Sequence, residues 1–291
     1  MHYAVRPLTR AANPMCRFLA YAAPVPTPVA SLVPATLAEF VALARENPDG
    51  WGQAAWHGDE IRVERSLVSA GDDPAFLDVA NRALGDMGIV HLRSATPPLP
   101  VNLDNNHPFV RDGLMMAHNG AIFPQETMDD MLLPGTRHLP RGTTDSERYF
   151  LAIAEEIDRG ADPVTAIRRT VGRILERFQP SFLNAFLTTS DRLYAVQWHM
   201  PEPYREEYYR LFAPEVLEIY FDIRYALVDG GIVLGSTGWT LPEWRAVTPG
   251  HVLEVRRGTL ELREHDLFSP ASQRIEAEHT SQSWPPETRS A

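Results

Sequence analysis

The N-terminal part of the chain alternates helical and strand-like patterns. Apolar residues recur at helical spacing over residues 36–46, and "NPDG" then ends the run. "WGQAAWH" and "EIRVERS" follow as strand-like runs on either side of Gly58 and Asp59, which predicts a hairpin. A second helix is predicted over 73–86, with Pro74 in its first turn.

The middle of the chain predicts core strands that run out into polar loops. "GIVHLRSAT" and "GLMMAHNGAIF" read as buried strands, and the proline-rich stretch between them has no period and is predicted to be a loop. Thr144 and Glu147 have the spacing of a capping box, so a helix is expected to begin near Asp145. Asp162 and Pro163 open another helix.

The C-terminal part is rich in strands. At least five strand-like runs follow the second of these helices, and the last is predicted to break into two strands about Gly258. From about Phe268 the chain is polar and rich in Ser, Glu and Pro, which predicts a flexible tail. Mixed sheets with helices outside fit this order better than a parallel, doubly wound sheet, which needs strict alternation. The predicted fold class is α+β.

Composition excludes several classes of protein. The formal net charge of -11 argues against a nucleic-acid partner, which requires a basic face. No apolar run is long enough to cross a bilayer, so we expect no membrane partner and a cytoplasmic location. All 27 residues counted as Lys or Arg are arginine, which rules out a Walker lysine and a lysine Schiff base. A single cysteine cannot form an internal disulfide or a thiolate zinc cage.

That cysteine, Cys16, lies in "NPMCRFLAY" beside residues that cannot activate a thiol. Met15, Arg17 and Phe18 surround it in sequence, and none of them is a base. Any activating group must therefore come from elsewhere in the chain or from the residue itself. The alternative is that Cys16 is a small buried apolar residue, the usual environment of a free cysteine.

Four polar stretches end strands or begin helices: "NPDGWG", "HLRSAT", "AHNG" and "GTTDSE". Each has a structural explanation when it is taken singly. Arg93 can pair with a carboxylate, Asn119 and Gly120 can form a turn, and Asp145 can cap its helix. Only the joint pattern favours a functional site.

The joint pattern resembles a known family. A cysteine followed by "RFLAY", "DGWG", "HLRSAT", "NNHPF", "AHNG" and "TTDSE", in this order, is similar to class II glutamine amidotransferases of the N-terminal nucleophile hydrolase superfamily. The stand-alone single-domain members are the most similar, among them the γ-glutamyl amidases of ergothioneine synthesis. The resemblance covers residues 16–266. It implies a four-layer αββα sandwich of two mostly antiparallel sheets, with no metal and no cofactor.

The resemblance also implies a domain organisation and a nucleophile. Residues 1–15 are expected to be an extension absent from the mature chain, 16–267 the amidotransferase domain and 268–291 the tail. Cys16 then becomes the first residue, and its own α-amine is the base. The α-amine has a pKa of about 7.7–8.0 and a thiol one of about 8.5, so the free amine can accept the thiol proton near neutral pH. Either Met15 is the true start or residues 1–15 are a propeptide.

The family roles transfer to this sequence residue by residue. Arg93 is expected to bind the α-carboxylate of glutamine through its guanidinium group, and Asp145 the ammonium group. Thr96 and His118 are expected to support the substrate pocket.

The oxyanion hole and the fold signature complete these expectations. The Asn119 side chain and the Gly120 N–H are expected to form the oxyanion hole beside Cys16. His107 is expected to shape the glutamine loop. "DGWG" is expected to pack its strand against that of the nucleophile.

The resulting hypothesis is an enzyme that hydrolyses the side-chain amide of glutamine or of a γ-glutamyl compound through a cysteinyl thioester. An ammonia-accepting partner and a homodimer both remain open. One alternative is a catalytically silent binding or scaffold protein. Another is a papain-type hydrolase, in which His91, His107 or His118 assists the cysteine.

Overall fold

The computed structural model describes residues 16–95, 98–199, 221–241 and 243–268, together with the backbone of residues 272 and 273. The predicted extension 1–15, Thr96 and nearly all of the predicted tail lie outside the described residues. The described helices are α1 (Val29–Leu32), α2 (Leu37–Ala42), α3 (Pro74–Ala80), α4 (Asp145–Asp158) and α5 (Pro163–Arg177). Short 3-10 turns cover Leu43–Arg45, Leu103–Asn105 and Gln125–Met131.

The strands form two large sheets and one small one. In chain order they are β1 (Arg17–Ala22), β2 (Trp51–His57), β3 (Glu60–Ser66), β4 (Met87–Leu92), β5 (Phe109–Arg111), β6 (Leu114–Asn119), β7 (Ile122–Phe123), β8 (Gln179–Pro180), β9 (Asn184–Thr188), β10 (Arg192–Gln197), β11 (Ile223–Val228), β12 (Gly231–Ser236), β13 (Arg245–Ala246), β14 (His251–Arg256), β15 (Leu262–Asp266) and β16 (Ser272–Gln273). Within the described residues, the first sheet has the order β13-β11-β12-β1-β4-β2-β3, the second β16-β15-β14-β10-β9-β6-β5, and β7 pairs with β8.

Three hydrophobic cores separate four layers. Alternate residues of β1 face opposite sides, because side chains in a strand alternate. Phe18 and Ala20 pack in the core between the two large sheets, whereas Leu19 and Tyr21 pack beneath α1, α2 and α3. A third core lies between the second sheet and helices α4 and α5. Every strand pairing in the described residues is antiparallel, so the αββα sandwich of the predicted α+β class is confirmed.

The start of α4 follows from its cap. The Thr144 hydroxyl accepts a hydrogen bond from the Glu147 N–H at 3.2 Å, so the helix begins at Asp145 as expected. The Glu147 carboxylate does not complete the capping box. It accepts instead from the N–H groups of Arg141 and Gly142, at 2.9 and 2.8 Å, and so fixes the loop that leads into the helix.

Two predicted helices are shorter than their patterns indicate. The helix expected over 36–46 ends at Ala42 and continues as a 3-10 turn. The helix expected over 73–86 ends at Ala80. Gly85 and Asp86 make their backbone hydrogen bonds to other segments, with the Gly85 carbonyl accepting from Thr27 and the Asp86 N–H donating to Trp56. The backbone groups of these two residues therefore bond to other segments and do not continue the helix.

Two further expectations are corrected. "GLMMAHNGAIF" is not one strand, because β6 ends at Asn119 and β7 pairs with β8 in a separate small sheet. "DGWG" does not pack against the strand of the nucleophile, because β4 lies between β1 and β2. A Cβ atom at Gly52 would collide with the His107 carbonyl oxygen, so the glycine allows the loop before β5 to approach β2. None of the described helices combines the length and apolar character needed to cross a membrane.

Candidate active site

Cys16 stands at the start of β1, and its sulfur contacts the end of the neighbouring strand β4. The Ser94 N–H donates to Cys16 Sγ at 3.2 Å, and the thiol donates to the Ser94 carbonyl at 3.3 Å. Because β1 and β4 pair in register from Arg17 and Leu92, the sheet itself brings Cys16 and Ser94 together. Cys16 keeps partial exposure to solvent, as a nucleophile must.

The surroundings of the thiol act on its ionisation in opposite directions. Burial raises the pKa of Cys16, while the Ser94 N–H and the guanidinium groups of Arg93 and Arg17 lower it less strongly. The thiol is therefore protonated near neutral pH unless a base removes its proton. Among the described residues, no histidine is hydrogen-bonded to Sγ, so the contacts do not favour the papain-type alternative.

Asn119 approaches Cys16 from the second sheet. Its Nδ2 donates to the Cys16 carbonyl at 2.7 Å, and this fixes the amide orientation because a carbonyl only accepts. The second Nδ2 hydrogen stays available. The next residue, Gly120, makes no hydrogen bond through its N–H within the described part of the chain. The two donors belong to consecutive residues, and their use as an oxyanion hole for Cys16 stays a prediction.

Gly120 has no room for a side chain. A Cβ atom there would collide with the Phe182 carbonyl oxygen and lie 2.8 Å from His118 Nε2. The residue is a glycine because two segments of backbone cross at this point.

Arg93 is buried directly before Ser94. Its Nη2 donates to the Pro100 carbonyl at 3.1 Å, whereas its Nη1 is buried and has no hydrogen-bond partner among the described residues. An unpaired donor on a buried guanidinium is costly and suits an anionic ligand. The structure thus places a guanidinium donor with no partner among the described residues one residue away from the contacts of the Cys16 sulfur.

Asp145 lies at the first position of α4. Its Oδ2 accepts from the Ile122 N–H at 2.7 Å, which ties the carboxylate to the segment that directly follows Gly120. Burial raises the pKa of Asp145, while His118 and the N–H of Ile122 oppose this shift. A ligand cation at this position would complete the charge balance of a buried carboxylate.

His118 faces the helix side of the second sheet. Its Nε2 lies 3.0 Å from the Phe182 carbonyl, so that nitrogen carries the proton, and its Nδ1 accepts from the Ser146 hydroxyl at 2.9 Å. Burial lowers the pKa of His118, in agreement with a neutral ring. Both nitrogens are occupied by protein groups, so the ring connects the first turn of α4 to the backbone at Phe182. A role in substrate binding stays a prediction.

His107 belongs to a stack of buried rings. Its ring centroid is 4.3 Å from that of His91 and 4.5 Å from that of Phe109. None of the four imidazole nitrogens has a hydrogen-bond partner among the described residues. Burial lowers the pKa of His91 to about 3 and that of His107 well below its usual range. Both rings are therefore neutral and pack as aromatic groups, and a role of His107 in shaping the glutamine loop stays a prediction.

The sequence did not reveal three residues that organise this site. Ser94 holds the sulfur, and Asp49 holds Ser94 in place, because its Oδ2 accepts from the Ala95 N–H at 2.7 Å. Asn105 joins two loops through its hydrogen bonds to Pro100 and Thr143. The only indication in the sequence was that Ser94 lies beside Arg93 and that Asp49 lies within "NPDG", two of the stretches that were predicted to contribute to the site. No group of three or more potential metal ligands occurs among residues 16–95, 98–199, 221–241 and 243–268.

Comparison with known proteins adds a family assignment to this geometry. Residues 15–281 match the family model described as class-II glutamine amidotransferases. Curated relatives include glutamine–fructose-6-phosphate aminotransferase of Zymomonas mobilis, which is 32% identical over 103 residues, 35% of this chain and 16% of that protein. The γ-glutamyl-hercynylcysteine sulfoxide hydrolase of Mycobacterium tuberculosis is 27% identical over 152 residues, 52% of this chain and 60% of that protein. Neither match reaches two thirds of the relative's length.

Solved structures share the fold. A glutamine aminotransferase class-II domain protein from Silicibacter pomeroyi superposes with a TM-score of 0.59 at 20% identity, over 86% of this chain and 99% of that one. Glutamine phosphoribosylpyrophosphate amidotransferase from B. subtilis gives a TM-score of 0.59 at 13% identity, over 88% of this chain and 50% of that one. At these identities the likeness concerns the fold alone.

Proposed function

This chain belongs to the class-II glutamine amidotransferases, and from that premise we propose that it hydrolyses the side-chain amide of glutamine or of a γ-glutamyl amide. Family and relatives support an enzyme that acts on a glutamine amide by hydrolysis or transfer. The hydrolytic reaction and the roles of individual residues are our proposal.

Cys16 acts as the nucleophile in the proposed reaction. Its α-amine, free once the preceding residues are absent, takes the thiol proton, and Sγ attacks the amide carbon. The C–N bond then breaks, and ammonia or an amine leaves with the proton. Water attacks the resulting thioester, the C–S bond breaks, and glutamate and the thiol are released. That the mature chain begins with Cys16 is part of this proposal.

The observation that carries the proposal is the convergence of donors around Cys16. Asn119 Nδ2 and the Gly120 N–H come from the second sheet, and Arg93 Nη1 comes from the first; the latter two have no partner among the described residues. We assign the first two to the oxyanion and the third to the α-carboxylate of the substrate. The buried Asp145 carboxylate binds the ammonium group.

The leaving group distinguishes the two candidate substrates. The Mycobacterium tuberculosis relative is by its name a hydrolase of a γ-glutamyl compound, and the Zymomonas mobilis relative is by its name a glutamine-dependent aminotransferase. We favour hydrolysis in this chain, with either glutamine or a γ-glutamyl conjugate as substrate. A homodimer or an ammonia-accepting partner is compatible with either choice.

The test combines the N-terminal residue with turnover. Protein is expressed from the full coding sequence and from a coding sequence that starts at Met15, and mass spectrometry identifies the first residue of each product. We expect protein that begins with Cys16 to release glutamate from glutamine or from a γ-glutamyl amide. It should also be alkylated at Cys16 by the glutamine analogue diazo-oxo-norleucine. The variant Cys16→Ala controls for contaminating glutaminase.

Two results contradict the proposal. One is a product beginning with Cys16 that hydrolyses none of these amides and remains unmodified at the cysteine. The other is native protein that keeps Met1 and shows no turnover, which supports the silent scaffold.

A further inference from the structure

Asn105 connects the loop that follows Arg93 with the loop that precedes Asp145, the residues assigned to the α-carboxylate and to the α-ammonium group of the substrate. It lies in the 3-10 turn Leu103–Asn105, and its side chain is completely buried. Its Nδ2 donates to the Pro100 carbonyl at 3.0 Å and to Thr143 Oγ1 at 3.1 Å, and its Oδ1 accepts from the Thr143 N–H at 2.7 Å. One amide therefore makes contacts on both sides of a loop–loop boundary.

On one side the contact reaches Arg93. The Pro100 carbonyl accepts from Asn105 Nδ2 and from Arg93 Nη2 at 3.1 Å. The position of the Arg93 guanidinium group, and with it the direction of the unpaired Nη1, thus depends on where Asn105 holds Pro100.

On the other side the contact reaches Asp145. Thr143 is two residues before Asp145 and directly precedes Thr144, the N-cap residue of α4. A Cβ atom on Gly142 would lie 2.6 Å from the Asp104 carbonyl oxygen, so the two loops already touch at this point. Asn105 therefore fixes the start of α4 against the loop that carries Pro100.

We propose that Asn105 is a positioning residue that sets the separation between the Arg93 guanidinium group and the Asp145 carboxylate. It selects ligands that carry an α-carboxylate and an α-ammonium group together. This inference rests on the proposed function. Asn105 does not need to touch the substrate, because it acts through Pro100 on one side and Thr143 on the other.

Asn106 provides a matched control. It is the adjacent residue, of the same type and equally buried, and its Nδ2 also makes two hydrogen bonds, to the carbonyls of Trp51 and Ser66 at 2.9 and 3.0 Å. These contacts tie the loop to the β2–β3 hairpin and not to Thr143. Loss of Asn106 removes comparable packing without breaking the connection between Arg93 and Asp145.

The experiment separates ligands with both charged groups from ligands with one. Steady-state kinetics with L-glutamine are measured for wild type, Asn105→Ala, Asn105→Asp and Asn106→Ala. Glutaramate, which lacks the ammonium group, and 4-aminobutanamide, which lacks the carboxylate, are measured as competitive ligands. We expect Asn105→Ala to raise KM for L-glutamine by about tenfold or more, with a smaller change in kcat. The reason is that the Arg93 guanidinium group and the Asp145 carboxylate are no longer held at the separation that fits both charged groups of the substrate. The inhibition constants of the two single-charge ligands should change by less than about threefold.

The second variant and the control keep the test decisive. Asn105→Asp is almost the same size and keeps the acceptor for Thr143, but it places an oxygen against the Pro100 carbonyl. It should therefore show the same selective loss even if Asn105→Ala folds poorly. Asn106→Ala should show no selective loss. Equal losses for all three ligands, or the same pattern in Asn106→Ala, would overturn the inference. A wild-type protein without amide hydrolysis would instead overturn the proposed function, and this inference with it.

Discussion

The stacked histidines predict a strong dependence of stability on pH. His91 and His107 are buried, neutral and without hydrogen-bond partners among the described residues, and burial holds the pKa of both far below its usual value. The guanidinium groups of Arg93 and Arg65 add unfavourable positive charge around them. In the unfolded chain both rings regain a pKa of about 6.5. The unfolded state therefore binds protons that the folded state excludes, and acid favours unfolding.

The size of the effect follows from linkage. Each depressed histidine leaves stability intact above pH about 6.5 and removes it as the pH falls below that value, by up to ~1.4 kcal/mol per pH unit. Between pH 7 and pH 5 each histidine costs about 2 kcal/mol, and the pair about 4 kcal/mol. A typical domain has a total of about 5–15 kcal/mol, so this is a large fraction. His118, whose pKa is also lowered, acts in the same direction, whereas Asp145, whose pKa is raised, acts in the opposite one.

Chemical denaturation at several pH values measures the effect. The free energy of unfolding of wild type should fall by several kcal/mol between pH 7 and pH 5. His107→Phe keeps an aromatic ring in the stack and removes one titrating group, so its slope against pH should be lower by about one proton. Phe109→Leu, in the same stack, should lower stability by a similar amount at every pH and leave the slope unchanged. A wild-type change below about 1 kcal/mol, or an unchanged slope in His107→Phe, would refute this reasoning.

Two further predictions concern the proposed reaction. Asn119→Ala should lower kcat by roughly 10²–10³, or about 2.7–4 kcal/mol, with little change in KM, because the donor acts on charge formed in the transition state. Single-turnover kinetics in which the maximal rate stayed the same and only its dependence on concentration changed would contradict this. Burial raises the pKa of Asp145, and only its ionised form attracts an ammonium group. On acidification, KM for glutamine should therefore begin to rise at a higher pH than it would with a carboxyl group of ordinary pKa. Asp145→Asn should raise KM at neutral pH and abolish this acidic rise, and a pH profile of KM that kept the rise would assign it to another group.

The ends of strands and helices were the part of the site that the sequence could predict. Arg93, Asn119 and Asp145 lie where a run of apolar residues stops or a helix begins, so their motifs could be placed on elements before any coordinates. Mixed sheets with helices outside followed from the order of these elements, and the four-layer sandwich followed from the resemblance. β7 and α1 were not predicted, because two-residue and four-residue elements carry no period.

The connections between loops were not predictable. Asn105 contacts Thr143, which is 38 residues away, and Asp49 contacts Ala95, which is 46 residues away. A side chain that bonds to backbone atoms of another loop leaves no pattern in either segment. The early end of α3 has the same origin, because Thr27 and Trp56, the partners of Gly85 and Asp86, are distant in sequence.

The start of β1 has a consequence for chemical labelling. The sequence contains no lysine. In a chain that begins with Cys16, the α-amino group of this residue is therefore the sole primary alkyl amine in the protein. Amine and sulfur on one residue form a 1,2-aminothiol, which condenses with aldehydes to a thiazolidine ring. One small aldehyde would thus block nucleophile and base together and mark every mature molecule at a single, known atom pair.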